Sequence, residues 1–219
     1  AEAVTAIAPK LGRDRRTEAV QLLKTAVTIN PSSARAAAAI RTLRRWGVEF
    51  DPAREAGFVT TWWVIGPFPN PNGQMWDRAY FPEKQVELTR TYTLDGRSYR
   101  WKRYHTPHPG GIVDLGAALG LRNYIGGYAY AEVTSDRDQD VIFKMGSDDQ
   151  IICWLNGQRI HANKANRGVA PDQDQVQTRL KAGVNRILLK VLNDGGGWAF
   201  CLRITDRSGR PLKLPQREK

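Results

Sequence analysis

Asp148 and Asp149 stand side by side in the run Gly146-Ser147-Asp148-Asp149-Gln150-Ile151-Ile152-Cys153-Trp154-Leu155-Asn156-Gly157. Adjacent carboxylates repel, so a chain keeps them together where a cation or several hydrogen-bond donors compensate the charge. A hard cation such as Ca²⁺, which prefers oxygen ligands, is one compensator. The other is a turn in which the pair caps backbone amides at the entry of a strand. A second run, Asn193-Asp194-Gly195-Gly196-Gly197-Trp198, offers backbone that a ligand can approach closely, although a plain flexible hairpin has the same composition. Trp198 either presents a flat apolar face to a sugar ring or fills the core at the start of a strand. His161, Asn166 and Arg167 lie on or beside the polar stretch Ala162–Asp174. Folded over the Asp pair, they would hydrogen-bond sugar hydroxyls or a sulfate; otherwise they form a solvated loop. Asn156 completes the set of candidate ligand-binding residues, and with Gly157 it also forms a hairpin turn.

No catalytic arrangement stands out. The chain has no nucleophile elbow, phosphate loop or zinc-protease helix. The run His105-Thr106-Pro107-His108 lacks the further ligands of a structural zinc site. Cys153 and Cys201 are the only cysteines and form no C-x-x-C; each sits in an apolar run, which suits a free thiol behaving as a small hydrophobe. These features predict a non-catalytic chain.

The formal charge is +11 over 219 residues. It divides as +5 over residues 1–50, +2 over 51–130 and +4 over 131–219, interleaved with acids throughout. The densest knots, Arg13-Asp14-Arg15-Arg16 and Arg41 with Arg44-Arg45, fall on expected helices whose solvent faces take charge in any case. Nucleic acid is therefore not the expected partner, although an anionic polymer would be attracted without specificity. No apolar run is long enough to cross a bilayer. The chain begins at Ala1 without a signal-peptide pattern, as expected of an excised or processed piece.

The elements that must position these residues fall into two parts. Over residues 1–57, apolar positions Ala19, Val20, Leu22, Leu23, Ala26 and Val27 recur at helical spacing from Asp14 to Ile29. Asn30-Pro31 stops that helix, Ser32 or Ser33 caps a second one through Trp46, and Gly47 ends it. Such a helical hairpin cannot bury its apolar stripe alone, so it packs on the following domain or ends a longer helical array. Residues 58–219 change character: β-branched and aromatic runs alternate with Gly, Pro, Asn and Asp clusters. Strands are expected at 60–65, 88–94, 98–104, 128–135, 140–145, 151–155, 158–161, 175–180, 185–192 and 198–205, with a short helix at 115–121. Turns at Asp95-Gly96 and Asn156-Gly157 accept positive φ. The fold class is mainly β: an antiparallel jelly-roll-like β-sandwich with a short N-terminal α-helical hairpin.

The order of these signals resembles a known group of domains. Trp63-Val64-Ile65-Gly66-Pro67-Phe68-Pro69-Asn70 resembles the opening of sandwich domains that follow HEAT-type helical repeats in large multidomain bacterial proteins. Tyr128-Ala129-Tyr130-Ala131, Gly146-Ser147-Asp148-Asp149 with Trp154-Leu155-Asn156-Gly157, and Leu180-Lys181-Ala182-Gly183-Val184-Asn185-Arg186-Ile187-Leu188-Leu189-Lys190-Val191 extend the likeness to PA14-like and galactose-binding-like carbohydrate modules over residues 58–214. The resemblance implies Ca²⁺ held by Asp148, Asp149 and Asn193, with the ion holding sugar hydroxyls. It further implies a polysaccharide or glycan partner, attachment to other domains of a parent protein, and an extracytoplasmic (periplasmic or secreted) location. Gln150 departs from the pattern, since many relatives have Gly after the Asp pair. The alternative is a structural or protein-interaction module that caps a helical array and takes no glycan.

Overall fold

The computed structural model describes residues 15–29 and 33–217. The expected helix start at Asp14, the Asn30-Pro31 stop, the Ser32 cap and the Arg13-Asp14 part of the first basic knot lie outside the described residues. Helices α1 (Arg16–Ile29) and α2 (Ala34–Arg45) pack through Ala19, Leu23, Val27, Ala36, Ala39 and Leu43. Ser33 caps α2: its side chain accepts a hydrogen bond from the Ala36 amide at 3.1 Å, satisfying an N–H that the helix itself leaves unpaired. The basic knot Arg41, Arg44, Arg45 is exposed. A single turn, α3 (Pro52–Glu55), capped by Asp51, leads into the sandwich.

The rest is an antiparallel, jelly-roll-like β-sandwich. The strands are β1 (Thr61–Pro69), β2 (Thr91–Leu94), β3 (Arg97–Arg100), β4 (Lys102–His105), β5 (Val113–Asp114), β6 (Ile125–Ser135), β7 (Gln139–Asp148), β8 (Gln150–Leu155), β9 (Gln158–Asn163), β10 (Asp174–Leu180), β11 (Gly183–Asn193) and β12 (Ala199–Thr205). Two short helices, α4 (Phe81–Lys84) and α5 (Leu115–Leu119), lie in the long connections. The larger sheet has the order β4-β1-β6-β11-β8-β9, the smaller β10-β7-β12-β5, and β2-β3 forms a separate hairpin.

The expected strand 98–104 breaks at Trp101. Its first part pairs with β2, and its second reaches across to β1. Strand β1 runs past its expected end at Ile65, through a register shift, to Pro69. Both cysteines are free and buried.

Alternation along β11 shows how the sandwich is filled. Ile187, Leu189 and Val191 point into the space between the sheets, where they meet the core that includes Trp62, Phe143, Met145, Phe200 and Leu202. Trp62 and Phe200 bridge the layers edge to face, with centroids 5.0 Å apart. Each such fully buried aliphatic or Phe side chain contributes roughly 1.5–3 kcal/mol. The intervening Leu188 and Leu192 face outward, yet they are buried too, because residues 70–101 fold over that face with Met75, Tyr80, Phe81, Tyr92 and Tyr99. Burial on both faces explains why β11 reads as an almost continuous apolar run instead of alternating.

Lys190 belongs to the same outward set and is 1% exposed. Its ammonium pairs with Glu83 at 2.7 Å and donates to the Arg78 carbonyl at 3.0 Å, while Tyr128 donates to the same carboxylate. Burial pushes the Lys190 pKa down against the pull of Glu83, and burial together with Glu83 pushes Tyr128 up. Removing one partner would leave the other buried charge unmatched, so the triad ties α4 to the sheet.

Candidate functional site

The β7–β8 turn, the loop from Asn163 to Asp174 and the loop from Asn193 to Trp198 meet at one end of the sandwich. Asp149 joins all three. It is 3% exposed; its Oδ1 accepts the Arg167 amide and its Oδ2 the Asp194 amide, each at 2.9 Å. Its own N–H donates to the Leu192 carbonyl at 3.0 Å, and Ser147 Oγ donates to its carbonyl at 2.6 Å. The Asp148–Asp149 peptide bond is cis. Two glycines permit these approaches. A Cβ on Gly197 would sit 2.6 Å from Asp148 Oδ2, and one on Gly146 would sit 1.8 Å from the Ala170 carbonyl oxygen. Gly146 has no room for a side chain against the Ala170 backbone, and a side chain at Gly197 would displace the Asp148 carboxylate.

Asp148 has a different setting. It is half-buried and takes a backbone hydrogen bond from Val169, and no cationic side chain pairs with it among the described residues. Burial, and then the neighbouring Asp149 charge, raise its pKa. The nearby guanidinium is committed elsewhere. Arg167 forks onto Asp174, with one contact at 3.2 Å and one shorter, and donates to Ser147 Oγ at 3.0 Å. Asn163 donates to Asp174 at 2.6 Å, and His161 Nε2 lies 3.4 Å from that carboxylate. Burial opposes the ionised form of Asp174, but the hydrogen bonds from Arg167 and Asn163 outweigh it and lower its pKa.

Asn193 is fully buried. Its Nδ2 donates to the Arg122 carbonyl at 2.8 Å, and its Oδ1 has no partner among the described residues. Gln150 is 4% exposed; its Nε2 donates to Asp194 at 3.0 Å, and its Oε1 has no partner among the described residues. Asn70, whose Oδ1 caps the Met75 amide, has an Nδ2 without a partner among the described residues. His161 Nε2 and Arg167 Nε at this end also lack a hydrogen-bond partner among the described residues; a buried polar atom without one costs about 1–3 kcal/mol, so this concentration calls for an explanation. A cleft of about 800 Å³ opens beside them, walled by Pro71, Asn72, Tyr124, Gln150, Lys164 and Asp194. Tyr124 is 59% exposed and holds φ of 53°, a left-handed conformation uncommon for an aromatic residue. Among the described residues, no three His, Cys, Asp or Glu side chains form a group that could hold a metal. A cation at this end would therefore need amide oxygens beside the Asp pair, and Asn193 Oδ1 is a buried oxygen of that kind.

The structure brings Asp148, Asp149 and Arg167 together, and bonds Asp149 to the backbone of Leu192 and Asp194 on either side of Asn193; Asn166 is exposed on the Arg167 loop, and His161 lies behind the Arg167–Asp174 pair. Two expectations are corrected. Trp198 is 1% exposed, with its indole N–H donating to the Val191 carbonyl at 3.2 Å; it is a core residue and has no face free for a sugar. Asn156 lies at the opposite end of β8, where its Nδ2 donates to Asn185 and its Oδ1 accepts the Arg186 amide, so its amide is consumed by the turn. Tyr124 and Asp174 are not singled out by sequence, and Gln150 is marked there only as a departure from the resembled pattern.

No family model matches the chain, and no curated protein matches it. Similar solved structures include a β-glucosidase from Kluyveromyces marxianus (13% identity over 75% of this chain and 21% of that one, TM-score 0.41). Others are a PA14 sugar-binding domain from an RTX adhesin (15% identity, 42% and 51% coverage, TM-score 0.34) and a family 35 carbohydrate binding module from an environmental isolate (19% identity, 44% and 78% coverage, TM-score 0.31). The match covers 10% of another Kluyveromyces marxianus β-glucosidase structure and about half of a PA14 domain from an antifreeze protein. With TM-scores below 0.5, these likenesses decide nothing about the ligand of this chain. None of its described helices is long and apolar enough to cross a membrane.

Proposed function

We propose that this chain is a non-catalytic carbohydrate-binding module of a larger extracytoplasmic protein. Its loop end holds Ca²⁺ through Asp148, Asp149 and Asn193, and the adjoining cleft receives the sugar. The observation that carries this reading is a carboxylate without a cation, Asp148, in the same loop cluster as a buried amide oxygen without a donor, Asn193 Oδ1. A hard cation would match both, because it takes carboxylate and amide oxygens together. The backbone amides on Asp149 leave lone pairs on each oxygen, so a structural role and a ligand role are compatible there. When bound, the ion supplies positive charge that orders sugar hydroxyls. The protein supplies the cleft wall, with Tyr124 as the exposed aromatic surface and Gln150, Lys164 and Asp194 as hydrogen-bonding groups.

Melting curves in calcium and in chelator test the cation, and a glycan array run in both conditions tests the ligand. Calcium should raise the melting temperature of the native chain and leave Asp148→Asn unmoved. Equal melting temperatures for the native chain would remove calcium from the reading. A blank array in calcium would remove the sugar.

One observation favours a second reading, a module that docks other domains of its parent protein. Helix α1 leaves Leu22 49% exposed beside a hairpin that already has its own small core. Recovery of a defined domain of the parent protein, together with a blank array, would support that reading.

A further inference from the structure

We infer that the outer face of the larger sheet carries a second, calcium-independent site for a pyranose bearing a carboxylate or sulfate, centred on Trp154. It shares no residue with the loop-end site and does not depend on that reading. Strand register places Trp63, Tyr130, Leu188 and Trp154 in one row across β1, β6, β11 and β8, with Arg159 of β9 next in line. Side chains paired in this way share a face of the sheet. Most of that face is roofed by residues 70–101, but the roof stops short at α4 and leaves a cleft of about 300 Å³. Tyr130, Leu188 and Trp154 form its apolar floor; Lys84, Val86 and Arg186 stand on its rim. Its size and make-up, an apolar floor with a few polar groups around it, suit one or two sugar rings. Trp154 is only partly buried. Its indole can lie against the C–H face of a pyranose, and at Gly157, where a Cβ would meet no atom within 4 Å, the cleft is open to the rest of a chain.

The charge around the cleft selects the substituent. The carboxylate of Glu83 is consumed by Lys190 and Tyr128. Glu132, beside Arg186, accepts from Tyr130 at 2.6 Å and pairs with Arg186 and Arg217 at 3.5 Å each. Lys84 and Arg159 are exposed and have no partner among the described residues, and Arg186 is 62% exposed. The unmatched charge is therefore positive, from Lys84 and Arg186 on the cleft rim and from Arg159 opposite Trp154 on the neighbouring strand, and an anionic group on the sugar would form charge-assisted hydrogen bonds there.

The test is calorimetric titration of the full chain in chelator with an oligogalacturonate, a sulfated galactan oligosaccharide and a neutral cello-oligosaccharide. At least one anionic sugar should bind about tenfold or more tightly than the neutral one. Preference for the oligogalacturonate assigns carboxylate as the substituent, and preference for the galactan assigns sulfate. Trp154→Ala should weaken binding about tenfold or more, and Trp154→Phe by less. The pair Lys84→Ala with Arg159→Ala, at exposed positions that leave the core alone, should abolish the preference for the anionic sugar. If Trp154→Ala unfolds, the Phe variant and the double variant decide. The proposal fails if neither anionic sugar binds in chelator. It fails equally if binding is indifferent to Trp154, the result expected of loose attraction to a basic surface.

Discussion

The two ends of β8 were marked by the same short run of sequence, and they behave in opposite ways. At its far end, Asn156 and Gly157 make a turn in which each polar atom of the Asn side chain is used, so the turn itself leaves no polar atom over among the described residues. At its near end, Asp149 is equally well satisfied, but Gln150 and Asn193 beside it each keep an acceptor with no donor among the described residues, and Asp148 has no cationic side chain paired with it. Residue type does not separate the ends, since both are built from Asn, Asp and Gly. What separates them is the count of donors and acceptors after folding. A turn that balances itself is structure; one that buries an imbalance marks a place where something else is expected to bind.

Substitutions can break this contrast. The largest expected effect is Asp149→Ala, which leaves the Arg167 and Asp194 amides unmatched in a buried place and should cost about 2–5 kcal/mol; urea melts in chelator measure it. A cost below about 1 kcal/mol would mean that those amides find water and that Asp149 is no tie. Asn156→Gly should cost about 1 kcal/mol, because Gly keeps the left-handed turn while losing two hydrogen bonds. Its calcium response, read by melting temperature, should match that of the native chain. A lost response would mean that the two ends are coupled.

The smallest effect is in pH. The pKa of Asp148 is raised on folding, so its ionisation penalises the native state above that pKa, and the penalty disappears on acidification. Asp148→Asn should thus be at least as stable as the native chain at neutral pH in chelator, with the gap closing as pH falls through the raised pKa. Asp174 runs the other way: its pKa is lowered, so the stability it confers is present above the ordinary carboxylate range and lost as pH falls through the lowered value. Asp174→Asn should therefore lose stability at neutral pH and approach the native chain in acid. Parallel profiles for the two variants would erase the distinction between an unmatched and a matched carboxylate.

Much of the sandwich was legible because its strands are long enough to show a pattern. Gln139–Asp148 and Ala199–Thr205 repeat β-branched, aromatic and apolar residues between clear turn signals. Val113–Asp114 was not, because two residues carry no period. The extension of β1 through Gly66-Pro67 was hidden by residues that normally end a strand. At the site, the Asp pair and Asn193 could be placed together through the family resemblance. Trp198 could not be placed, because a Trp after three glycines reads the same whether the backbone turns it inward or outward. Tyr124 and Asp174 belong to no motif, and their roles exist only after distant loops meet.

The Lys190–Glu83–Tyr128 triad bears on where the domain can be cut. The segment over the outer sheet has the look of a dispensable insertion that could be trimmed to obtain a smaller domain. Trimming would uncover Tyr128 and Leu192 and strip the ammonium of Lys190 of its carboxylate in one step. A useful minimal version of this domain therefore keeps residues 70–101, or replaces Lys190 before it loses them.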